Sequence, residues 1–202
     1  MNEVARDRSR RALEGLLLLG SRLVRRLYSA AALSGFKAIG RSCRISYPAV
    51  IRGRRYISIG CDADIYARMR MEAFDRHLDV DFSPSLSIGN RFGANFNCHI
   101  GCINRIEIGD DVLFASQVFV TDHFHGRADA SVVGIPPSLR RLYSPGPVKI
   151  CDRVFLGENS VVLPNVTIGE DSIIGANTVV TKDVPPRSVV VGTPERVIRT
   201  MA

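Results

Sequence analysis

Cysteine pairs, long apolar runs and an excess of one charge over most of the chain are what this sequence lacks, and each absence excludes a class of protein. The five cysteines, Cys43, Cys61, Cys98, Cys102 and Cys151, are odd in number and contain no C-x-x-C pair. Neither a disulfide framework nor a zinc knuckle is indicated, so a reducing cytoplasm is the expected location. An apolar run such as Leu16 to Leu19, with glycine on either side, is far too short to span a bilayer. No secretory signal is expected either, because Arg22, Arg25 and Arg26 follow the leucines without a small-residue cleavage site. The net charge of +7 belongs to one segment: residues 1–44 carry ten Lys/Arg against three Asp/Glu, and residues 45–202 carry seventeen of each. A basic body would suggest nucleic acid, whereas here only the leader is basic, and no nucleic-acid partner is expected.

What is present is a repeat. From Ile150 to Pro185 the chain falls into six hexads, ICDRVF, LGENSV, VLPNVT, IGEDSI, IGANTV and VTKDVP. Each begins with an aliphatic residue (Ile150, Leu156, Val162, Ile168, Ile174, Val180) and has only Val, Ser or Thr in fifth place. An apolar period of six fits neither a helix face nor a two-sided strand. It fits short flat strands joined by corners, three to a triangular turn of 18 residues, with the leading aliphatics stacked inside and Gly and Asn accepting the tight corner geometry. The product is a parallel β-helix whose turns bury their interior residues mainly against the turns above and below.

The register begins at Ile39 and continues through Ile45, Ile51 and Ile57. It slips by two residues at Ile57 to Ile59, Leu86 to Ile88 and Ile106 to Ile108, a recurrence that predicts a bulge on one edge of the prism. Arg68 to Asp79 interrupts the pattern and reads as a surface excursion. The coil is thus expected over 39–185, interrupted from Gly126 to Lys149 by a proline-rich loop without hexads, a length more often functional than not. Residues 186–202 form a tail. Residues 1–38 read as a basic amphipathic helix, with Leu13, Leu16, Leu17, Leu23, Val24, Leu27, Tyr28 and Ala31 on one stripe and the arginines largely off it. Such a helix either packs on its own or a neighbouring subunit or makes peripheral contact with anionic membrane.

Of the four histidines, His77 lies among charges in the excursion and reads as a solvated surface residue, and His99 reads as structural. His123 and His125 stand apart in Thr121-Asp122-His123-Phe124-His125-Gly126, where the repeat gives way to the loop. An imidazole near its ordinary pKa can take a proton at neutral pH, which suits activation of a hydroxyl. Within the pair His123 is the expected base, since it follows Asp122 at the end of a regular coil, and His125 the acceptor-binding partner.

These residues carry a resemblance. The repeat resembles the hexapeptide-repeat acyltransferases, whose coils are left-handed, and the fold expected is an all-β, left-handed parallel β-helix. The segment NFNCHIGCINRIEIGDDVLFASQVFVTDHFHG, then LYSPGPVKI and the six hexads, resembles the sugar and polysaccharide O-acetyltransferases of that family, including those acting on capsule and lipopolysaccharide, and the galactoside and maltose acetyltransferases. The similarity covers about residues 45–200. It implies a homotrimer with active sites at subunit interfaces, acetyl-CoA as acyl donor and a saccharide acceptor, nucleotide-linked, lipid-linked or free. It assigns His123 as general base, with Asp122 and His125 beside it, and Asn95, Asn97 and Tyr143 to the acceptor. Phe155 takes the aromatic position of a V-W-I-G motif, keeping a wall but not an indole N–H. Gly157 and Ala176 match positions along which coenzyme A runs, and Lys182, Arg196 and Arg199 match cations near its phosphates. Cys102 and Ile103 replace paired aspartates of the galactoside enzymes, which argues against a simple galactoside acceptor.

Acyl transfer from a thioester needs few groups: acceptor and carbonyl held together, a base for the proton, and a backbone N–H for the developing oxyanion. No cysteine lies in a motif that supports a covalent intermediate, so direct attack in a ternary complex is expected. Two alternatives share the rod. One is a zinc enzyme like the hexapeptide-type carbonic anhydrases, for which His99, His123 and His125 supply the number but not the spacing, and the other is an acyltransferase acting on a non-sugar acceptor such as an antibiotic.

Overall fold

Strands of two to five residues, separated by tight corners, place each leading aliphatic side chain inside a three-faced coil in the computed structural model, which describes residues 31–201. The first face stacks Ala38–Ile39, Ile57–Ile59, Ser85–Ile88, Arg105–Ile108, Val148–Ile150 and Thr167–Ile168. The second stacks Arg44–Ile45, Asp64–Ile65, Gly93–Ala94, Leu113–Phe114, Phe155–Leu156, Ile173–Ile174, Ser188–Val191 and Arg196–Thr200. The third stacks Ala49–Arg52, Met69–Ala73, His99–Cys102, Phe119–Thr121, Val161–Val162 and Val179–Val180. Pairing is parallel throughout these faces except at the last strand, Arg196–Thr200, which returns antiparallel on Ser188–Val191.

The 18-residue turn is present where the hexads are uninterrupted: Ile150 pairs with Ile168, Leu156 with Ile174 and Val162 with Val180. All six fifth-place residues, Val154, Ser160, Val166, Ser172, Thr178 and Val184, are buried at the inner corners, where only a small side chain fits. The polar ones need partners there. Ser172 Oγ donates to the carbonyl of Pro185 at 3.0 Å, and Thr178 Oγ1 accepts from the amide of Gly192 at 3.2 Å.

Corner chemistry differs from the sequence expectation. The left-handed corner positions carry Asn, Asp and Arg, among them Arg91, Asn97, Asp111, Arg153, Asn159, Asp171 and Asn177, and not Gly. Asn and Asp tolerate this region because the short polar side chain bonds locally. The glycines that follow the leading aliphatics have ordinary φ and answer a different need: a Cβ on Gly157 would lie 2.6 Å from the amide nitrogen of Ala176 on the next turn. Close stacking of turns, not backbone conformation, demands glycine there.

The two-residue slips do not form a bulge. They lengthen strands of the first face, which pair in register, Ile57 with Leu86 and Ile59 with Ile88, then Leu86 with Ile106 and Ile88 with Ile108. Because side chains alternate along a strand, each longer strand sends two aliphatic residues inward, and all six are buried. The first excursion is also shorter than the lost periodicity suggests. Met69–Ala73 is a strand of the third face with Met69, Met71 and Ala73 inside, and only a hairpin pairing Arg76–His77 with Val80–Asp81 leaves the coil. Nor does the coil end at Pro186, since Ser188–Val191 adds one more parallel strand with Val190 fully buried.

The loop after His125 leaves and returns through the antiparallel pair Phe124–His125 and Leu142–Tyr143. It leans on the hairpin. Arg141 pairs with Asp79, His77 Nε2 donates to the carbonyl of Arg140 at 3.3 Å, and the His77 ring meets the His125 ring edge-on at 5.8 Å. His77 is therefore half-buried and braces the loop, in place of the solvated role expected for it.

The helix expected over residues 1–38 lies almost wholly outside the described residues. At its end, Ala32 is buried and Leu33 and Phe36 pack on the core. Among the described residues no helix is long and apolar enough to cross a membrane.

Candidate active site

The site grows from the end of Phe119–Thr121 on the third face. After Thr121 the chain turns inward instead of starting another strand, and Asp122 is completely buried. A buried carboxylate is costly unless its oxygens are bonded. Those of Asp122 accept from the backbone amides of Ile103, at 2.9 and 3.2 Å, and of Asn104, at 2.8 Å. Ile103 and its neighbour Cys102 are themselves buried, so the two residues that replace paired aspartates serve the core and anchor Asp122. The anchored carboxylate lies 2.9 Å from His123 Nδ1. An ionised carboxylate only accepts, so Nδ1 carries the proton and Nε2 keeps its lone pair. The His123 side chain is about one-tenth exposed, enough to meet a small group and too little to swing freely. Thr121 Oγ1, at 3.3 Å from its amide and Nδ1, and the edge-on ring of Phe74, at 6.2 Å, restrict it further. Chemically this is a proton acceptor of fixed tautomer and orientation.

Other residues singled out from the sequence fall into separate groups. His125 is exposed on the loop strand against His77 and is not part of the Asp122–His123 pair. Tyr143 lies on the partner strand beneath the guanidinium of Arg127, 4.3 Å from its ring centre. Asn95 is half-buried at the corner after Gly93–Ala94, while Asn97 occupies a left-handed corner with its Oδ1 accepting from Arg68 Nε at 2.7 Å. Phe155 projects outward from the second face, and Gly157 and Ala176 touch across adjacent turns at the next corner. Lys182, Arg196 and Arg199 are exposed near the C-terminal end of the coil with no ion-pair partner among the described residues. No hydrogen bond, ion pair or ring contact among the described residues joins the His123 group to the Phe155–Gly157–Ala176 group. His99 and His123 do share a slot, but among the described residues no three His, Cys, Asp or Glu side chains gather to hold a metal ion. The buried thiols of Cys98 and Cys102 are pushed well above their ordinary values by burial, which leaves them protonated and unreactive.

Sequence reasoning missed the residues around His99. Its ring stacks on Phe119, and its Nε2 lies 3.4 Å from the carboxylate of Glu72, which is buried between Arg52 and Arg70. Glu72 had been lost in the supposed excursion. Counting the coil's own step would have found it, because Glu72, Gly101 and Thr121 occupy one column of the third face.

A repeat-built parallel β-helix with a carboxylate-oriented imidazole at its surface defines a class, the coil-based group transferases. Comparison makes it particular. Residues 147–182 match the model of the bacterial transferase hexapeptide (six repeats) family. Over 164 residues the chain is 38% identical to WbbJ of Escherichia coli (strain K12), named as a lipopolysaccharide biosynthesis O-acetyl transferase, covering 79% of this chain and 80% of that one. It is 41% identical over 123 residues to the galactoside O-acetyltransferase of the same organism, covering 58% of this chain and 55% of the relative. Among solved structures, a galactoside acetyltransferase in complex with coenzyme A superposes with a TM-score of 0.53 at 26% identity, over 83% of this chain and 66% of the other. AntD, an N-acyltransferase from Bacillus cereus, shares the fold with a TM-score of 0.66 at 22% identity, over 83% of this chain and 86% of its own. The chain belongs to the bacterial transferase hexapeptide family, and it is an acetyltransferase.

Proposed function

We propose that this protein transfers the acetyl group of acetyl-CoA to a hydroxyl of a saccharide used in surface polysaccharide or lipopolysaccharide synthesis, with His123 as general base. The observation that carries this reading is the Asp122–His123 pair, whose 2.9 Å contact leaves Nε2 free to accept a proton. In the reaction Nε2 removes the acceptor proton as the hydroxyl oxygen attacks the thioester carbonyl, and Asp122 stabilises the imidazolium that forms. The same proton then goes to the departing thiolate as the tetrahedral intermediate collapses. The donor is supported by relatives: a hexapeptide-repeat acetyltransferase from Vibrio cholerae was solved with acetyl coenzyme A, and it superposes with a TM-score of 0.53 at 25% identity.

The coenzyme is assigned to the second face and its corner, where Phe155, Gly157 and Ala176 provide an apolar wall and close backbone, and to the cations Lys182, Arg196 and Arg199 for its phosphates. The distance between this group and His123 within one chain fits an active site completed by a neighbouring subunit of a left-handed, trimeric assembly. The basic N-terminal segment would then hold the protein near anionic membrane if the acceptor is lipid-linked. Mass spectrometry of glycans from cells with and without the protein tests the proposal: loss of a single acetyl group from one glycan supports it, and unchanged glycan acetylation refutes it. Solution scattering tests the assembly, and a compact monomer would refute it.

A further inference from the structure

Gly101 sits between two imidazoles. A Cβ placed on it would lie 3.2 Å from His123 Cε1 and 3.7 Å from His99 Nε2, so these two atoms are within about 7 Å of each other across a slot that exists because residue 101 has no side chain. Each ring has its own buried carboxylate. Asp122 holds His123, and Glu72, only 1% exposed, lies 3.4 Å from His99 Nε2. That distance is longer than a good hydrogen bond, and Nε2 is enclosed with no hydrogen-bond partner among the described residues. The carboxylate nevertheless fixes the proton on Nε2. Nδ1, the nitrogen that is not enclosed, has no protein partner and keeps its lone pair. Burial, together with the charge of Arg70, pushes the His99 pKa below its ordinary value, so the ring is neutral near pH 7. Two neutral imidazoles of defined tautomer thus face one small slot, with Phe119 stacked at 4.8 Å behind His99 and Phe74 set edge-on to His123.

We propose that His99 is an acceptor-binding residue, held in place by Glu72 as a positioning residue, and that it accepts a hydrogen bond from the hydroxyl adjacent to the one His123 deprotonates. The acceptor class is then a sugar with two free hydroxyls on neighbouring carbons. Such hydroxyls lie about one hydrogen-bond length apart, so two bonds of about 2.8 Å reach both rings across the slot. His123 and not His99 is the base of the two. Its carboxylate contact is a full hydrogen bond to an acid anchored by backbone amides, whereas the His99 pair is stretched and its carboxylate is shared with two arginines.

The inference rests on the saccharide reading above, and the test separates their failures. A panel of methyl pyranosides with free neighbouring hydroxyls is screened with acetyl-CoA by mass spectrometry, and the best acceptor is compared with its analogue lacking the hydroxyl next to the acetylated position. For His99→Gln we expect KM for the diol to rise about five- to tenfold, the worth of one neutral hydrogen bond, with kcat and the KM of the deoxy analogue little changed. Glu72→Gln should show the same pattern, and the double variant should add nothing further. Equal effects of His99→Gln on diol and deoxy acceptors, with normal acetyl-CoA binding, would overturn the role of His99 and leave the acetyltransferase reading intact. Failure of the wild-type protein to acetylate any panel sugar would overturn both. If His99→Gln does not fold, Gly101→Ala serves: filling the slot should lower acetylation of the diol and the deoxy analogue alike, and unchanged rates would overturn the proposal.

Discussion

The turns from Ile57 to His125 and the six hexads from Ile150 to Pro185 are built on the same three faces, yet they differ in what they spend their irregularities on. In the hexads each turn repeats after 18 residues, and the inner positions hold Val, Ile, Leu, Ser or Thr in a fixed order. In the earlier turns the step is longer, strands reach five residues, and two segments leave the coil. The buried polar groups of chemical interest, Glu72, Thr121 and Asp122, all belong to this irregular half. A one-dimensional core tolerates insertions between strands because each turn needs only its neighbours. The difference teaches that the regular half supplies rigidity and the interrupted half supplies a site.

The largest effect that could break this contrast is on turnover. His123→Ala should lower kcat by about 10² to 10⁴ fold with the fold retained, and His125→Ala should act mainly on the KM of the acceptor. Steady-state kinetics with saturating acetyl-CoA decides it, and loss of kcat in His125→Ala alone would place the base on the loop. Next in size is a cavity in the regular half. Ile174 is fully buried and its neighbour Ile173 faces outward. Ile174→Ala should cost about 2 to 5 kcal/mol in denaturant unfolding. Ile173→Ala should stay within about 0.5 kcal/mol, and a larger loss would reveal that another subunit covers the outer face.

A smaller effect concerns the brace between the two excursions. His77→Ala removes the bond to Arg140 and the ring contact with His125. Amide exchange over residues 140–143 should then quicken about fivefold while the hexads stay protected, as expected for loss of one hydrogen bond in a locally opening segment. Unchanged exchange would mean that the loop is held elsewhere.

The smallest effect comes from the edge between the first and second faces, where Asp62, Arg91, Asp111, Arg153, Asp171 and Arg187 alternate in charge at successive corners. Arg91 holds the carboxyl of Asp111 below its ordinary value, and Arg153 does so for Asp171. A depressed carboxyl stabilises the fold above its ordinary value, and this contribution is lost as the pH falls through the folded-state value. Replacing Arg91 and Arg153 with Gln should therefore lower Tm slightly at neutral pH, by a difference that shrinks below about pH 4 and in high salt. A difference that grows with acid would contradict the ladder.

The sequence by itself determined the coil, because a strict period of six with small fifth-place residues has one economical packing, and the burial of every leading aliphatic from Ile150 to Val180 follows from it. It also marked Asp122 and His123, since the motif stands where the period stops. Three matters waited for the tertiary structure. Local pattern could not say that Met69–Ala73 is a strand, because Arg70 and Glu72 occupy its outward positions and hide the alternation. Glycine after each leading aliphatic looked like a demand of backbone conformation until the neighbouring turn was seen pressing on it. The meeting of Glu72, His99 and His123 over Gly101 depends on turn lengths of 29 and 20 residues, read from Glu72 to Gly101 and Gly101 to Thr121, and those lengths are decided by which insertions the stacked strands absorb and which they expel.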